Sequence, residues 1–295
     1  MSVTSEEIRS QPELWERAGA LAASLDGTLP APGEDAAVIG CGTSWFMAQA
    51  YAALREGNGH GRTDAFAASE MPSRPYDVVV ALSRSGTTTE VAHALMRSAR
   101  SRTVAITAVP DSPVAHAADE VVELEFADEQ SVVQTRFATT ALSLLRAHEG
   151  LDLSASVADA AGALDAPLPV EPGQADRWAF IGRGWTVGLA SEAALKLRES
   201  AQAWTEAYPA FEYRHGPISI AGPGAVVWSF GPADEVLEDA RAAGALTVAP
   251  PIDPLASLVL AQRTGVALAE AAGLDPDRPR NLTRSVVLST TEVPQ

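Results

Sequence analysis

Short apolar runs alternate with segments of helical periodicity along most of this chain. The runs are bounded by glycine, proline or polar residues, which is typical of strands buried on both faces of a parallel sheet. They predict strands at 36–40, 78–82, 103–107, 121–124, 178–181 and 225–230. Apolar residues that recur every three or four positions predict helices through about residue 25, at 46–54, 91–96, 135–148, after 186 and at 258–272. Strands that alternate with helices in this way indicate an α/β fold with parallel sheets.

The pattern restarts once. A Gly-x-Gly turn follows a strand at Gly40 and Gly42, and again at Gly182 and Gly184. Between the two copies, residues 151–173 hold a helical stretch and then three prolines, which marks the best internal boundary. We therefore predict a helical lead-in at 1–30 and two subdomains, at 31–165 and at 174–295, the second ending in a C-terminal tail.

Composition narrows the class of protein. The 295 residues can bury a substantial core, and 46% hydrophobic with 20% charged residues fits a soluble globular protein. No apolar stretch is long enough to span a bilayer, and the first residues lack the basic start and apolar core of a signal peptide. The single cysteine, Cys41, excludes an intrachain disulfide and a multi-cysteine metal site. These features favour a cytoplasmic protein without a membrane partner. The net charge of −17 argues against a nucleic-acid partner, which usually needs a basic patch.

The segment from Ser83 to Thr88 closes one predicted strand and leads into a predicted helix. Backbone N–H groups at such a helix N-terminus are free to bind an anion, which the helix dipole also favours. Ser83, Ser85 and Thr88 add hydroxyl donors, and Gly86 permits a backbone angle that other residues avoid. The segment suggests a phosphate cradle, and a capped helix after a serine-rich turn is the alternative.

A second segment suggests proton transfer. Glu192, Lys196 and Glu199 are spaced i, i+4 and i+7, which places them on one face of a helix. Moving a proton between neighbouring sugar carbons through an enediol needs a base, and a positive charge near the developing oxyanion. Glu199 suits the base, Lys196 the charge, and Glu192 a group that holds Lys196. An exposed row of salt bridges is the alternative for the same spacing.

His215 precedes a Gly-Pro pair, so we expect it in a turn, where a neutral imidazole can open a sugar ring near neutral pH. A surface or packed histidine is the alternative.

Gly40-Cys41-Gly42 lacks the third glycine of a dinucleotide fingerprint, because Trp45 takes its place. No His, Asp and Cys cluster has metal-site spacing, and the serines of the turn have no histidine nearby in sequence. We expect no metal and no cofactor.

Together these motifs resemble the SIS (sugar isomerase) domain family, above all the isomerase half of glucosamine-6-phosphate synthase and the stand-alone amino-sugar-phosphate deaminase/isomerases. The resemblance covers nearly the whole chain, in the family's order. The matching segments are Gly40–Ser44, Ser83–Thr88, Glu192–Glu199, Glu206–Tyr208, His215–Pro217 and Pro279–Leu282, and Glu7–Pro12 is similar to the family's lead-in helix. Six separated matches are far more specific than any one alone, and they favour the site over the alternatives above.

The resemblance implies two tandem SIS subdomains, each a doubly wound parallel sheet with helices on both faces. It implies that Glu199 is the isomerisation base, Lys196 its charge partner and His215 the ring opener. The residues expected to hold the substrate and its phosphate are Thr43, Ser44, Ser83, Arg84, Ser85, Thr88, Gln134, Glu192 and Arg284. Family members dimerise with shared active sites, so the resemblance also implies a homodimer in which His215 serves the neighbouring subunit.

Three departures from the synthases bear on the reaction. We find no counterpart of their glutaminase domain with its N-terminal cysteine, so we expect no glutamine-dependent amination. Arg284 stands where the synthases place a lysine that can form a Schiff base, and a guanidinium is a poor nucleophile for an imine, although it can still bind an anion or a hydroxyl group. Gln134 lies where the synthases have small residues that contact sugar, which can change the sugar preference.

The sequence therefore predicts a phosphosugar isomerase or an amino-sugar-6-phosphate deaminase/isomerase that acts through an enediol. A non-catalytic SIS sensor that binds a sugar phosphate is the alternative from another class of protein. A deglycase that acts on a glycated-amine 6-phosphate is the third. Retention of Glu199, Lys196 and His215 together favours an enzyme.

Overall fold

The computed structural model describes residues 1–288. Its strands are β1 (Ala36–Gly40), β2 (Thr63–Ala67), β3 (Val78–Ser83), β4 (Arg102–Thr107), β5 (Glu120–Glu123), β6 (Arg177–Gly182), β7 (Trp204–Pro209), β8 (Ala225–Phe230) and β9 (Leu246–Val248). Its helices are α1 (Val3–Arg9), α2 (Gln11–Ala22), α3 (Thr43–Gly57), α4 (Thr89–Arg97), α5 (Pro113–His116), α6 (Arg136–His148), α7 (Ser154–Asp165), α8 (Thr186–Ala201), α9 (Asp234–Ala242) and α10 (Pro254–Ala271). All six predicted strands are confirmed, and the structure adds β2, β7 and β9.

The chain divides into two compact units, each built on its own parallel sheet. The first-sheet unit comprises Glu13–Leu153 and, of the described C-terminal residues, 283–288, and it contains β1 to β5. The second-sheet unit comprises Met1–Pro12 and Ser154–Leu282, and it contains β6 to β9. The predicted fold class, α/β with two parallel sheets flanked by helices, is confirmed.

The predicted lead-in at 1–30 is not one segment. It forms two helices, because Pro12 has no N–H to continue α1 but fits the first turn of α2. In the second-sheet unit, the backbone N–H groups of Val3 and Thr4 donate to Asp277 at 2.9 and 2.8 Å. In the first-sheet unit, Trp15 of α2 donates its indole N–H to Thr139 at 3.0 Å. These partners lie far away in sequence, so local periodicity could not show the division.

The other predicted limits, 31–165 and 174–295, also differ from the units. Helix α7 falls in the second-sheet unit, where Asp159 accepts the backbone N–H of Asp253 at 2.7 Å and Arg263 donates to the carbonyl of Ala163 at 2.5 Å. The described part of the predicted C-terminal tail, from Thr283, falls in the first-sheet unit. The rest of that tail, 289–295, lies outside the described residues.

The first sheet has the strand order β2-β1-β3-β4-β5, with every pair parallel. Ile39 and Val79 pack in one buried cluster with Leu95 of α4. Because side chains alternate along a strand, Val38 and Val80 point to the opposite face, and α3 packs against β1 and β2. The sheet is therefore covered by helices on both faces.

The second sheet repeats this order as β7-β6-β8-β9, again all parallel. Ile181 and Val227 pack with Val236 of α9. Trp228, of opposite parity, donates its indole N–H to Ser257 of α10 at 3.1 Å. Both units are therefore built in the same way, from a parallel sheet with helices packed on its two faces.

Ligands of open α/β sheets bind outside the carboxyl ends of the strands, at the point where the strand order reverses. In the first sheet that point lies between β1 and β3. The segments that leave these two strands are Gly40–Ser44 and Ser83–Thr88. The topology therefore brings two predicted motifs to one crevice. Among residues 1–288, no helix is long and apolar enough to cross a membrane.

Candidate functional site

The turn between β3 and α4 leaves a helix N-terminus uncapped. Thr88 precedes the helix in an extended conformation, and its side chain makes no capping hydrogen bond. The first turn of α4 therefore lacks the side-chain acceptor that commonly caps a helix. An anion fits this place, because free N–H groups and the positive end of the helix dipole both favour negative charge.

Gly86 sets the shape of this turn. Its φ is +64°, and a Cβ at this position would lie 2.0 Å from Oγ of Ser112. Its carbonyl accepts the backbone N–H of Val114 at 2.9 Å. Within the turn, Oγ of Ser85 accepts the backbone N–H of Thr87 at 3.2 Å. The loop is thus held in one conformation by contacts that any side chain at position 86 would break.

Among the buried polar atoms of the described residues that have no hydrogen-bond partner, four lie at or after the carboxyl end of a first-sheet strand. They are Oγ of Ser83, Oε1 of Gln134, Nε1 of Trp45 and Oε2 of Glu90. A buried polar group without a partner costs about 1–3 kcal/mol, so these atoms favour a polar ligand that satisfies them. Two of them, Trp45 and Glu90, were not predicted as site residues, because no motif spacing marks them.

Thr43 and Ser44 occupy the first turn of α3, and both are buried. Gly42 precedes them with a φ of +54°. A Cβ on Gly40 would lie 2.7 Å from Cβ of Ser44, so only glycine allows the end of β1 to approach the helix this closely. A second helix N-terminus with hydroxyl side chains therefore borders the crevice.

The neighbouring thiol is not a nucleophile. Burial, and then the carboxylate of Glu90, raise the pKa of Cys41 to about 11. The thiol is therefore protonated at neutral pH, and only the thiolate is strongly nucleophilic.

Arg84 was predicted to contact the substrate, but its guanidinium is buried among protein groups. It donates to the backbone carbonyls of Ser131 at 3.0 Å and Arg284 at 2.5 Å, and it lies 3.8 Å from Oε2 of Glu129. These contacts fix the Ser83–Thr88 turn to the segment before α6. In this structure Arg84 positions the turn.

Glu129 holds the segment that carries Gln134. Its Oε1 accepts the backbone N–H groups of Thr135 at 2.5 Å and Arg136 at 2.7 Å, which caps α6. Gln134 immediately precedes this cap and is half-buried. The backbone next to Gln134 is therefore held at the start of α6.

Arg284, predicted to bind an anion or a hydroxyl group, is paired within the protein. Its Nη2 donates to both carboxylate oxygens of Asp128, at 2.5 and 2.7 Å. The two side chains are 44% and 38% exposed, so the pair borders solvent. Asp128 is another residue that the sequence did not single out, since 156 positions separate the partners.

In the second-sheet unit, α8 brings Glu192, Lys196 and Glu199 together as predicted. Nζ of Lys196 lies 3.4 Å from Oε1 of Glu192 and forms an ion pair with Oε2 of Glu199. The side chains of Glu192 and Lys196 are almost fully buried, whereas that of Glu199 is 18% exposed. This is not a solvated salt-bridge face. A carboxylate that reaches solvent is held by a buried ammonium, which a second carboxylate holds in turn.

The end of α8 is fixed just beyond this triad. Gln202 adopts a left-handed conformation, with φ of +55°, and its N–H donates to the carbonyl of Arg198 at 3.1 Å. The guanidinium of Arg198 donates to the carbonyl and hydroxyl of Thr205, at 3.0 and 3.1 Å. Burial lowers the pKa of Arg198, which the charges of Glu199 and Glu192 partly oppose. Arg198 thereby ties the catalytic candidate segment to β7.

His215 lies in a turn, between the 3₁₀ segments Ala210–Arg214 and Pro217–Ile220. It is exposed, and its backbone N–H donates to Glu212 at 2.9 Å. Within residues 1–288, its imidazole makes no hydrogen bond or ion pair, so the structure does not join it to the triad. No group of three His, Cys, Asp or Glu side chains in that range can hold a metal ion.

Comparison with known proteins supports the predicted resemblance. Residues 34–147 match the profile of the SIS domain, which confirms it. Glutamine–fructose-6-phosphate aminotransferase (isomerizing) of Sulfurisphaera tokodaii is 27% identical over 291 residues, covering 85% of this chain and 49% of that protein. The chain spans about half the length of the curated relatives it matches.

Solved structures share the fold over nearly the whole chain. Glucosamine-6-phosphate deaminase from Thermotoga maritima superimposes with a TM-score of 0.80 at 24% identity, covering 97% of this chain and 100% of that one. The C-terminal domain of glucosamine-fructose-6-phosphate aminotransferase from Francisella tularensis also gives 0.80, at 21% identity, covering 95% and 98%.

Proposed function

We propose that this SIS-domain protein is an enzyme that moves a proton between C1 and C2 of a phosphorylated sugar or amino sugar. It acts as a ketose/aldose phosphosugar isomerase or as an amino-sugar-6-phosphate deaminase/isomerase. The names of its relatives and structural neighbours support this class of substrate. Both reactions move a proton between C1 and C2, so one base serves either. The isomerase passes through an enediol, whereas the deaminase passes through an enaminol to a C2 imine, which water hydrolyses to the ketose and ammonia.

The observation that carries the proposal is the buried triad on α8. Lys196 is buried between two carboxylates, and Glu199 alone of the three reaches solvent. In the proposed mechanism, Glu199 takes the proton from one sugar carbon and returns it to the neighbouring carbon. The ammonium of Lys196 stabilises the carboxylate before the transfer and the enediolate oxygen after it. Glu192 keeps Lys196 charged and in place, since it supplies the second negative partner.

The phosphate of the substrate is assigned to the Ser83–Thr88 turn. The uncapped start of α4 and the unpartnered hydroxyl of Ser83 support this assignment. In a chain of net charge −17, such local donors must outweigh long-range repulsion of a phosphate. Thr43 and Ser44 add donors from α3, and the unpartnered amide oxygen of Gln134 is assigned to a sugar hydroxyl.

We further propose a homodimer in which His215 opens the sugar ring in the neighbouring subunit's site. The exposure of His215 and its lack of side-chain partners in the described residues support a role in the neighbouring subunit. Arg284 is assigned to orienting the segment near Asp128, because its guanidinium is already paired and cannot form an imine readily.

Turnover assays test the proposed reaction class. The protein is incubated with fructose 6-phosphate, tagatose 6-phosphate and glucosamine 6-phosphate, and products are followed by NMR together with released ammonia. Interconversion of ketose and aldose phosphates indicates an isomerase, and ammonia released from the amino sugar indicates a deaminase. Absence of turnover on a panel of hexose and hexosamine phosphates, with tight binding of one of them, would instead support a non-catalytic sensor.

A further inference from the structure

A cavity of about 350 Å³ lies in the first-sheet unit. Its walls come from two segments, residues 71–75 before β3 and residues 94–101 at the end of α4 and before β4. Three arginines line it: Arg74, Arg97 and Arg100. Pockets that bind small molecules commonly have volumes of about 300–1,000 Å³, so the cavity is large enough for a small ligand.

The charge around this cavity is opposite to that of the whole protein. The chain carries 38 acidic residues and a net charge of −17, yet no aspartate or glutamate occurs from Val91 to Pro110. Arg97 and Arg100 are exposed, and neither forms an ion pair within the described residues. The wall formed by residues 94–101 therefore carries positive charge only.

Arg74 is already oriented. Its guanidinium donates to the hydroxyl of Tyr76 and to the carboxylate of Asp64, and it lies 5.0 Å from the centre of the Tyr76 ring. Ser101, on the opposite segment, accepts the backbone N–H of Tyr76 at 3.1 Å, which leaves its hydroxyl proton free to donate. With one carboxylate facing three guanidiniums, the cavity keeps an excess of positive charge.

The helix dipole explains only part of this arrangement. Arg97 lies in the last turn of α4, where a cation is favoured in any case. Arg74 and Arg100 lie outside the helix, on two different segments, so the dipole does not account for their convergence. Three guanidiniums from three positions around one cavity are instead the arrangement that binds phosphate oxygens in a fixed geometry.

The cavity is separate from the candidate phosphate site. Its two segments lead into the amino ends of β3 and β4, whereas the Ser83–Thr88 turn leaves the carboxyl end of β3. Parallel strands place these at opposite edges of the sheet, and six residues of strand span about 20 Å.

We propose that this cavity is a binding site for a small molecule that carries two or more linked phosphate groups. The guanidiniums of Arg74, Arg97 and Arg100 bind the phosphate oxygens, and the hydroxyl of Ser101 donates an additional hydrogen bond. Met71 and Pro72 supply an apolar wall for the rest of the molecule.

Calorimetric titration of the full chain with inorganic pyrophosphate tests this site. Arg97→Ala/Arg100→Ala should weaken binding about tenfold or more, since two charge-assisted contacts are lost. The matched control is Arg241→Ala/Arg278→Ala, which removes two exposed arginines from the second-sheet unit and should leave binding unchanged. The Ser83–Thr88 turn is a separate phosphate site, so Ser85→Ala/Thr88→Ala should not change the part of pyrophosphate binding that Arg97→Ala/Arg100→Ala removes.

Several outcomes would overturn the proposal: no pyrophosphate binding by the wild-type protein, equal weakening in the control variant, or weakening only in Ser85→Ala/Thr88→Ala. Citrate separates phosphate recognition from a general attraction of polyanions. It should bind more weakly than pyrophosphate, and equal affinity would contradict a phosphate site. If the Arg97→Ala/Arg100→Ala protein unfolds at the same temperature as the wild type, its weaker binding is not caused by a loss of folded structure.

Discussion

Individual residues of the Ser83–Thr88 turn have separate tasks. Gly86 fixes the backbone, since its φ is +64° and a Cβ would collide with Ser112. Arg84 fastens the turn to the segment before α6 through the carbonyl of Ser131. Neither Ser85 nor Thr88 fills the core. Oγ of Ser85 bonds within the turn to the backbone N–H and the hydroxyl of Thr87, and the side chain of Thr88 makes no capping bond.

Replacing Ser85 and Thr88 with alanine should weaken binding of a sugar 6-phosphate and hardly change binding of the same sugar without phosphate. Each lost hydrogen bond to a charged group is worth about 1.5–3 kcal/mol, so the phosphorylated ligand should bind at least tenfold more weakly. Calorimetry with fructose 6-phosphate and fructose measures the difference.

The control variant must remove a hydroxyl that supports no part of the candidate site. Thr205→Ala does not meet this condition, because Thr205 holds Arg198 of α8. Thr247→Ala, on β9, removes a hydroxyl that meets only the exposed Arg241 and should leave both affinities unchanged. If Ser85→Ala/Thr88→Ala weakens the binding of both sugars equally, the turn does not bind the phosphate.

At this scale, sequence spacing predicts contacts within an element well and contacts between elements poorly. Glu192, Lys196 and Glu199 meet because helical geometry requires it. The pairing of Arg284 with Asp128 depends on tertiary structure, so its spacing of 156 positions carries no signal.

Among the elements, the three strands that sequence reasoning missed have one feature in common: none is a central strand. Strands β2 and β7 are edge strands, and β9 is an edge strand of three residues. Strands β2 and β7 are partly exposed and β9 is short, so they lack the continuous apolar run that marks β1, β3 and β8. The sequence therefore predicts the central strands of each sheet and, of the edge strands, only β5.

Helix α6 begins at a buried carboxylate. Oε1 of Glu129 accepts the backbone N–H groups of Thr135 and Arg136, and Oε2 lies 3.8 Å from the buried guanidinium of Arg84. Glu129→Ala should lower the free energy of unfolding by about 3–5 kcal/mol, because a buried cation loses its counter-charge and a helix loses its cap. Urea denaturation measures this change.

Glu125→Ala provides the comparison, because Glu125 is an exposed residue of the preceding 3₁₀ segment and its removal should change stability by less than about 0.5 kcal/mol. A Glu129→Ala protein as stable as Glu125→Ala would show that Glu129 neither caps α6 nor compensates Arg84.

In the whole molecule, one strand order is used twice, but the loops that leave β3 and β8 differ. The loop after β3 passes through Ser85, Gly86, Thr87 and Thr88 into α4, whereas the loop after β8 passes through Gly231, Pro232 and Ala233 into α9. Asp234 and Glu235 occupy the first turn of α9 and repel an anion there. The repeat itself is visible in the sequence, but the unit limits are not, since they depend on contacts such as that between Thr4 and Asp277.

The proposed homodimer predicts complementation between two inactive proteins. Glu199→Ala and His215→Ala should each be nearly inactive, because each lacks one member of every composite site. When the two are unfolded together and refolded, half of the dimers are mixed, and each mixed dimer has one site with both lesions and one intact site. The mixture should therefore recover about one quarter of the wild-type activity.

Native mass spectrometry of chains that differ in isotope labelling verifies the mixed dimers. Mixed dimers without activity would place Glu199 and His215 in the site of one chain, or remove His215 from the reaction.

The central claim is that Glu199 moves the proton, and solvent-deuterium exchange into the substrate measures that step directly. Wild-type protein in D₂O should incorporate deuterium at C1 or C2 of its sugar phosphate. Glu199→Gln preserves the shape of the side chain but removes the base, so exchange should fall about 10²-fold or more while binding is retained. Glu238→Gln, which changes an exposed glutamate on α9, should exchange at the wild-type rate. Exchange by Glu199→Gln at the wild-type rate would contradict the account.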